Sequence, residues 1–414
     1  MDLARLEELP AGTRVYGVPM PTSLPERLET WGLKIWRGSN ERPRASGPGP
    51  TVNASPSAEG TKAGSVGAPD IRWRWKDPRT FVRAYHALIR KSHWYAWASN
   101  AADIGRAVID PQAHRAVISC GPPHEAHRAA RRVAIATGLP FVMDMRDPWS
   151  MVERLPEAIA SPAWLLTSGW DERRAVAQAA IVSCNTEPSS LALMAAYPNV
   201  RARVITVTNG YDDEPLPPTR HSARFSIAYA GSIYLDRDPR LLFRATARVI
   251  TELGLNPERI GLDFIGNVEN YDGVPVSQIA REEGIADFVT VGPSRARPAM
   301  LEFLTRASML VSLPQDSDLA IPSKIFEYMQ FNAWLLALAN RGSATELLLR
   351  DSGADVVAPL DVAAMTDLIR ERYQQYARGD RPVRIARDQR FSRRGQAKIL
   401  FDALEEMLAS PAGS

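Results

Sequence analysis

A chain of 414 residues with 45% hydrophobic side chains is long enough for two or three domains, each with its own core, and two is the expected number. Fifty basic residues against 47 acidic ones leave a formal charge of +3, which excludes a globally basic nucleic-acid binder but leaves room for local basic patches. The opening residues are of mixed charge and no apolar run approaches the ~18 residues that span a bilayer, so neither a signal peptide nor a transmembrane helix is expected.

In chain order, residues 37–70 are rich in Gly, Pro, Ser and Ala and poor in large apolar side chains, the composition of a disordered insertion. Residues 72–97 then interleave seven basic side chains with seven aromatic ones around a single acid, Asp77. Such a helix either lies on an anionic membrane surface or packs its aromatics into the first domain with its Arg residues solvated.

From about residue 115, short apolar strands alternate with amphipathic segments. Strands are expected at Ala116–Cys120, Phe141–Asp144, Ala180–Cys184 and Val204–Thr208, with helices such as His124–Thr137 and Ser189–Ala196 between them. Cys120 and Cys184 each end one of these apolar runs and read as reduced, buried strand residues of a cytoplasmic protein. Asn209-Gly-Tyr-Asp-Asp-Glu-Pro-Leu-Pro-Pro has turn chemistry followed by proline, which suits an interdomain linker. The alternation resumes with strands at Ser226–Ala230, Leu262–Ile265, Phe288–Val291, Met309–Leu313, Leu335–Ala339 and Asp355–Ala358. The expected fold is therefore α/β, two doubly wound Rossmann-like domains over 1–215 and 222–390, with a closing segment at 391–410. Ligands of such sheets bind beyond the carboxyl ends of the strands, so two facing sheets define a cleft.

Four segments carry candidate chemistry. Pro322 and Ser323 suit the opening of a helix, whose free N–H groups favour phosphate, and Lys324 and Glu327 follow on one face of it. Lys324 can meet a diphosphate while Glu327 accepts both hydroxyls of a ribose, which reads as a nucleotide-sugar clamp; the plainer alternative is a surface ion pair. Gly231-Ser232, after a strand and five residues before Arg237, allows close backbone approach to the same diphosphate. In the first half, His124 and His127 open a helix, and Asp144, Arg146 and Asp147 end a strand, so His127 and Asp144 are expected to meet in the cleft, where they could orient a hydroxyl nucleophile or bond a sugar. Asp316-Ser-Asp318 matches a two-aspartate cation pattern, but it lies beside the proposed phosphate loop, where Lys324 already supplies positive charge, and no metal is assigned to it.

Taken together, Pro122-Pro123…His127, Asp144-Met-Arg-Asp-Pro-Trp149, Asn209-Gly-Tyr-Asp212 and Pro322-Ser-Lys-Ile-Phe-Glu-Tyr328 resemble the ordered motifs of the family 4 glycosyltransferases of the GT-B fold, in a bacterial subgroup, over about residues 110–408. The resemblance implies a second domain that binds a nucleotide diphosphate sugar and a first that binds a saccharide or lipid-linked acceptor. It further implies retention of anomeric configuration without a metal or other cofactor, and a C-terminal helix that crosses back to the first domain. Gly231, Ser232, Arg237 and Lys324 would contact the diphosphate and Glu327 the ribose, with His127, Asp144, Arg237 and Lys324 as catalytic residues. Two departures stand out. Leu319 occupies the position, eight residues before Glu327, where many members carry an acid. The opening residues, Leu9 to Pro19, look like the family's third strand, so the usual first strand and Gly-rich loop are expected to be missing. A sugar-nucleotide epimerase or hydrolase on the same fold, and a non-catalytic GT-B-like binding subunit, are the rival readings.

Overall fold

The computed structural model describes residues 9–10, 12–21, 78–150, 162–220, 222–234, 236–314 and 317–409. The expected insertion at 37–70, residues 72–77 of the aromatic and basic segment, and Asp316 lie outside them. Two parallel sheets organise the chain.

The first sheet has four strands in sequence order, β1 (Val117–Gly121), β2 (Phe141–Met145), β3 (Ile181–Cys184) and β4 (Arg203–Thr206). Its strands are apolar on both faces, as a sheet covered on both sides requires. One face packs Phe141, Met143 and Val182 against Ala130 and Ala134 of α2 (Glu125–Thr137), Val176 of α3 (Pro162–Gln178) and Leu193 of α4 (Glu187–Ala196). The other places Val142 and Ile181 against Ala403 and Leu404 of the last helix (Arg393–Ala409). α1 (Pro78–Val108) sits outside this layer, with Ala98 and Ala102 packed on Ala129 and Val133 of α2. Cys184 is buried, but Cys120 is exposed, because β1 is an edge strand and not the interior strand its apolar run suggested. Of Leu9 to Pro19, expected to resemble a strand, the described residues pair with no sheet and leave Val15 and Tyr16 exposed.

The second sheet has six strands in the order β12-β11-β10-β5-β6-β9. They are β5 (Phe225–Ser232), β6 (Ile260–Asn267), β9 (Val289–Gly292), β10 (Met309–Ser312), β11 (Trp334–Leu338) and β12 (Asp355–Val357); β7 (Asn270–Tyr271) and β8 (Val274–Pro275) form a small antiparallel hairpin beside them. Successive side chains alternate between the faces. Phe225, Ile227 and Tyr229 join Met309, Val311 and Leu336 under α5 (Arg240–Leu253), α6 (Val276–Glu282) and α10 (Val362–Ala377). Ala228, Leu310 and Leu335 face the opposite way, under α7 (Arg297–Thr305), α8 (Ser323–Tyr328) and α9 (Ala344–Leu349). Helices on both faces of an all-parallel sheet make a doubly wound α/β unit.

The two units touch at the carboxyl ends of their strands and along the C-terminal segment. Thr186, the N-cap of α4, accepts from Ser189 N–H at 3.1 Å and donates its hydroxyl to the carbonyl of Leu319 at 2.6 Å, so one side chain both caps a helix and bridges the units. Before α11 (Arg393–Ala409), Tyr211 N–H donates to Phe391 O at 3.0 Å and Arg393 N–H to Tyr211 O at 2.8 Å, and Gln396 accepts from Thr208 N–H at 2.7 Å.

Candidate functional site

Beyond the carboxyl ends of β5 and β6 lies a notch built from glycine. Register pairs Gly231 with Gly266, at φ +150° and +122°. A side chain at Gly266 would set its Cβ 2.1 Å from Gly231 O, and one at Gly231 would lie 2.5 Å from Lys324 Nζ. These two glycines therefore let the strand end and the lysine approach each other.

Lys324, in the first turn of α8, reaches into the notch with Nζ 3.7 Å from the centre of the Tyr229 ring. Nζ is buried and has no hydrogen-bond partner among the described residues. Burial, with the positive Arg237 nearby, lowers its pKa to about 7, while Glu327 pulls the other way. Tyr229 is held in turn, its hydroxyl donating to Ser232 O at 2.7 Å, and Arg237 Nη1 donates to the same carbonyl at 3.3 Å. The Tyr328 hydroxyl, fully buried, bonds both Ala230 N–H and Ala230 O, which ties α8 to the end of β5. Gly231, Ser232, Arg237 and Lys324 thus come together around one point.

Glu327, one turn further on, does not share that point. Its Oε1 accepts from Arg297 Nη1 at 2.9 Å, and burial raises its pKa while Arg297 opposes the rise. A small pocket beside the notch, at the ends of β10 and β11, is lined by Ser312, Asp318, Pro322, Ala339 and Asn340. Asp318 pins this loop, its side chain accepting from Asn340 at 3.0 Å and its carbonyl from Ala344 N–H at 2.7 Å. Leu319 contributes through its backbone, as the acceptor of the Thr186 bridge.

The facing edge of the first sheet holds buried polar side chains, Asp144, Ser183 and His127 among them. Register sets Cys120, Asp144 and Ser183 side by side across β1, β2 and β3, and Ser183 donates to Asp144 at 2.5 Å. His127 is wholly enclosed, with Nδ1 2.7 Å from Ser119 Oγ and Nε2 without a partner among the described residues. His124 stacks on Trp149 at 5.1 Å, and its Nδ1 likewise lacks a partner. Burial lowers His127 to about 3, with His124 adding to the effect, and lowers His124 to about 4, so both rings are neutral at neutral pH. His127 and Asp144, expected to meet in the cleft, are both buried at this edge, beneath the first-sheet wall.

The loop after β2 is fixed from two sides. Arg146 N–H donates to Gly121 O at 3.0 Å and its guanidinium bonds the Asn209 side chain, which joins two of the motifs at the linker. Glu172, completely buried, accepts from Ser150 N–H at 2.5 Å and from the Tyr197 hydroxyl at 3.0 Å. Its pKa is raised by burial against those bonds. Glu172, Tyr229 and Arg297 have no motif signal in the sequence; each acts through a contact with a residue distant in the chain.

No protein-family model matches the chain, and no curated protein matches it in sequence. Solved structures do match in shape. The HepE protein of Anabaena, in complex with UDP and glucose, is similar at a TM-score of 0.53 and 15% identity over 74% of this chain and 82% of that one. A glycosyltransferase from Rickettsia africae gives 0.56 at 11% identity over 82% and 84%, and the trehalose 6-phosphate synthase of Burkholderia multivorans 0.54 at 12% over 79% of each chain. The fold is GT-B. At such identities the likeness establishes architecture and leaves the chemistry to the site.

Proposed function

We propose that this chain is a family 4-like glycosyltransferase that moves a sugar from a nucleotide diphosphate donor to a saccharide or lipid-linked acceptor. The observation that carries the reading is Lys324, a buried ammonium with no hydrogen-bond partner among the described residues, set against Gly231 at the carboxyl edge of the second sheet. Burying an unpaired cation is costly, and a diphosphate at the notch would relieve the cost. In the proposed complex Lys324, Arg237 and the backbone at Gly231 and Ser232 hold the diphosphate, and Glu327 takes the ribose hydroxyls. UDP is the nucleotide to test first, since it is the one bound in the HepE complex.

In a retaining front-face transfer, the acceptor oxygen bonds the anomeric carbon as the bond from that carbon to the diphosphate oxygen breaks, and the acceptor proton passes to the leaving diphosphate. Charge builds on the leaving group, so its stabilisation by Lys324 and Arg237 would be the main catalytic contribution, with the positive charge coming from the chain's own side chains and no metal assigned. His127 and Asp144 are assigned to the acceptor side; enclosed beneath the first-sheet wall, they would act through it, setting the groups that meet an acceptor hydroxyl. Incubation of the chain with UDP-glucose and with GDP-mannose, in the presence of lipid extract or polysaccharide, is expected to yield a new glycosidic signal by NMR. A donor converted only to free sugar or to an epimer would instead establish the hydrolase or epimerase reading.

A peripheral contact with the inner face of the cytoplasmic membrane belongs to the same proposal. Among the described residues no helix is long and apolar enough to cross a membrane. Along α1, Ala87, Ile89, Ala98 and Ala102 are buried, whereas Phe81, Val82, Tyr85 and Leu88 are between 39% and 56% exposed, with the exposed Arg90 following them. Such a face suits an anionic bilayer. The chain is expected to sediment with phosphatidylglycerol vesicles at low salt but not with phosphatidylcholine vesicles, and Tyr85→Glu should weaken that binding; equal recovery with both lipids would remove the membrane from the proposal.

A further inference from the structure

We propose that Arg297 is a positioning residue for the donor site: it turns the Glu327 carboxylate towards the ribose and ties that carboxylate to the linker between the two sheets. The inference rests on the nucleotide-sugar reading above. Its ground is a chain of contacts through four separate parts of the sequence. Arg297, the first residue of α7, donates Nη1 to Glu327 Oε1 at 2.9 Å and Nε to Glu214 Oε1 at 2.7 Å, and its Nη2 lies 3.8 Å from Asp212 Oδ2. Asp212 accepts in turn from Arg393 Nη1 at 3.1 Å, and Arg393 Nε donates to Gly210 O at 3.2 Å. One guanidinium fork thus faces the proposed ribose ligand on one side and linker acids on the other. Glu327 Oε2 accepts no hydrogen bond from the described residues, so Arg297 fixes one oxygen of the carboxylate and leaves the other for a ribose hydroxyl.

The groups that face Glu327 are Arg297 from α7, Glu214 and Asp212 from the linker, Arg393 from the start of α11, and Lys324 on its own helix. Burial and Glu214 push its carboxyl up, and Arg297 is the nearest group holding it down. Without Arg297 the carboxyl would protonate at higher pH, and a protonated Glu327 can no longer accept from both ribose hydroxyls. Affinity for a nucleotide sugar would then fall as pH decreases. Because the same guanidinium holds Glu214 and Asp212, ribose binding and linker position are linked, and the coupling acts equally in both directions.

The test is the pH dependence of affinity for UDP-glucose or GDP-mannose, whichever the wild-type chain binds, since the diphosphate diester of either keeps both of its negative charges over the range used. Wild type should lose less affinity between pH 7 and pH 5.5 than Arg297→Gln does. Arg297→Gln should bind about tenfold more weakly at pH 7 and lose up to about tenfold more per unit below its new midpoint. Arg297→Lys should recover most of the loss at pH 7, and inorganic pyrophosphate, which has no ribose, should bind wild type and both variants alike. Unchanged affinity and pH profile in Arg297→Gln, or equal loss of pyrophosphate and nucleotide sugar, would overturn the role of Arg297 and leave the donor site standing. Failure of the wild-type chain to bind either nucleotide sugar would overturn the functional reading itself.

Discussion

Lys324→Met should abolish nucleoside diphosphate binding and, in the same molecule, raise the stability of the free protein. The two effects share one cause. In the free chain the ammonium is buried against Tyr229 and Gly231 with no hydrogen-bond partner among the described residues, and its pKa is lowered to about 7 from the ordinary lysine value of 10.5. A depressed lysine costs folding free energy, because the unfolded chain holds the proton that the folded chain gives up. That cost is full below about pH 7 and fades as pH rises towards 10.5, so wild-type stability should climb across this window while that of Lys324→Met stays flatter. Replacement by methionine keeps most of the side-chain volume and removes the charge, which should raise the melting temperature at pH 7. A phosphate in the notch reverses the balance. Charge-assisted hydrogen bonds contribute about 1.5–3 kcal/mol, so the substitution should weaken UDP binding by about 100-fold. Binding should also take up a proton above pH 7, as the bound lysine returns towards its ordinary value, and affinity should fall by up to about tenfold per unit of rising pH. Thermal melts from pH 6 to 10 and calorimetry in two buffers of unlike protonation heat read these effects separately. A Lys324→Met chain that melts lower than wild type and still binds UDP would be a surface ion-pair mutant, and the clamp would be wrong.

Alanine at the paired glycines is the second large effect, and the two positions should fail differently. At Gly266 a Cβ would sit 2.1 Å from Gly231 O, and φ of +122° is strained for any L side chain. The obstacle is backbone within a paired strand, so it can yield only by parting β5 from β6. Gly266→Ala is expected to destabilise the protein by about 3 kcal/mol or more, a fall of roughly 6–12 °C in melting temperature for a unit of this size. At Gly231 the Cβ would meet the end of a flexible side chain, Lys324 Nζ at 2.5 Å. A φ of +150° strains this position too, but the lysine can swing aside, so Gly231→Ala should cost less stability than Gly266→Ala and lose nucleotide binding nearly as completely as Lys324→Met. Equal melting temperatures for the two alanine variants would show that the notch is not packed as described.

Much of this architecture was legible in the sequence because strands buried on both faces leave an unambiguous mark. Runs such as Phe141 to Met145 and Trp334 to Leu338 are wholly buried in the structure, and all ten strands expected from such runs form in sheets. Lys324 and Glu327 were visible from helical spacing, but spacing could not tell that one would enter the notch while the other turned to Arg297, thirty positions earlier in the chain. The sequence puts His127 at the opening of a helix and Asp144 at a strand end, yet their depth depends on Trp149, Ser119 and Ser183 closing around them, which only packing decides. Leu9 to Pro19 look like a strand by resemblance, but among the described residues they meet no strand to pair with, and a strand without a partner makes no sheet.

The most direct measurement is a calorimetric titration of the chain with UDP and with GDP at pH 7, repeated with Lys324→Met. Binding of one nucleotide in the micromolar range, lost in a variant whose melting temperature equals or exceeds that of wild type, is the result that a diphosphate site at Gly231 and Lys324 requires. Absence of binding by both nucleotides, or binding that Lys324→Met leaves intact, would contradict it.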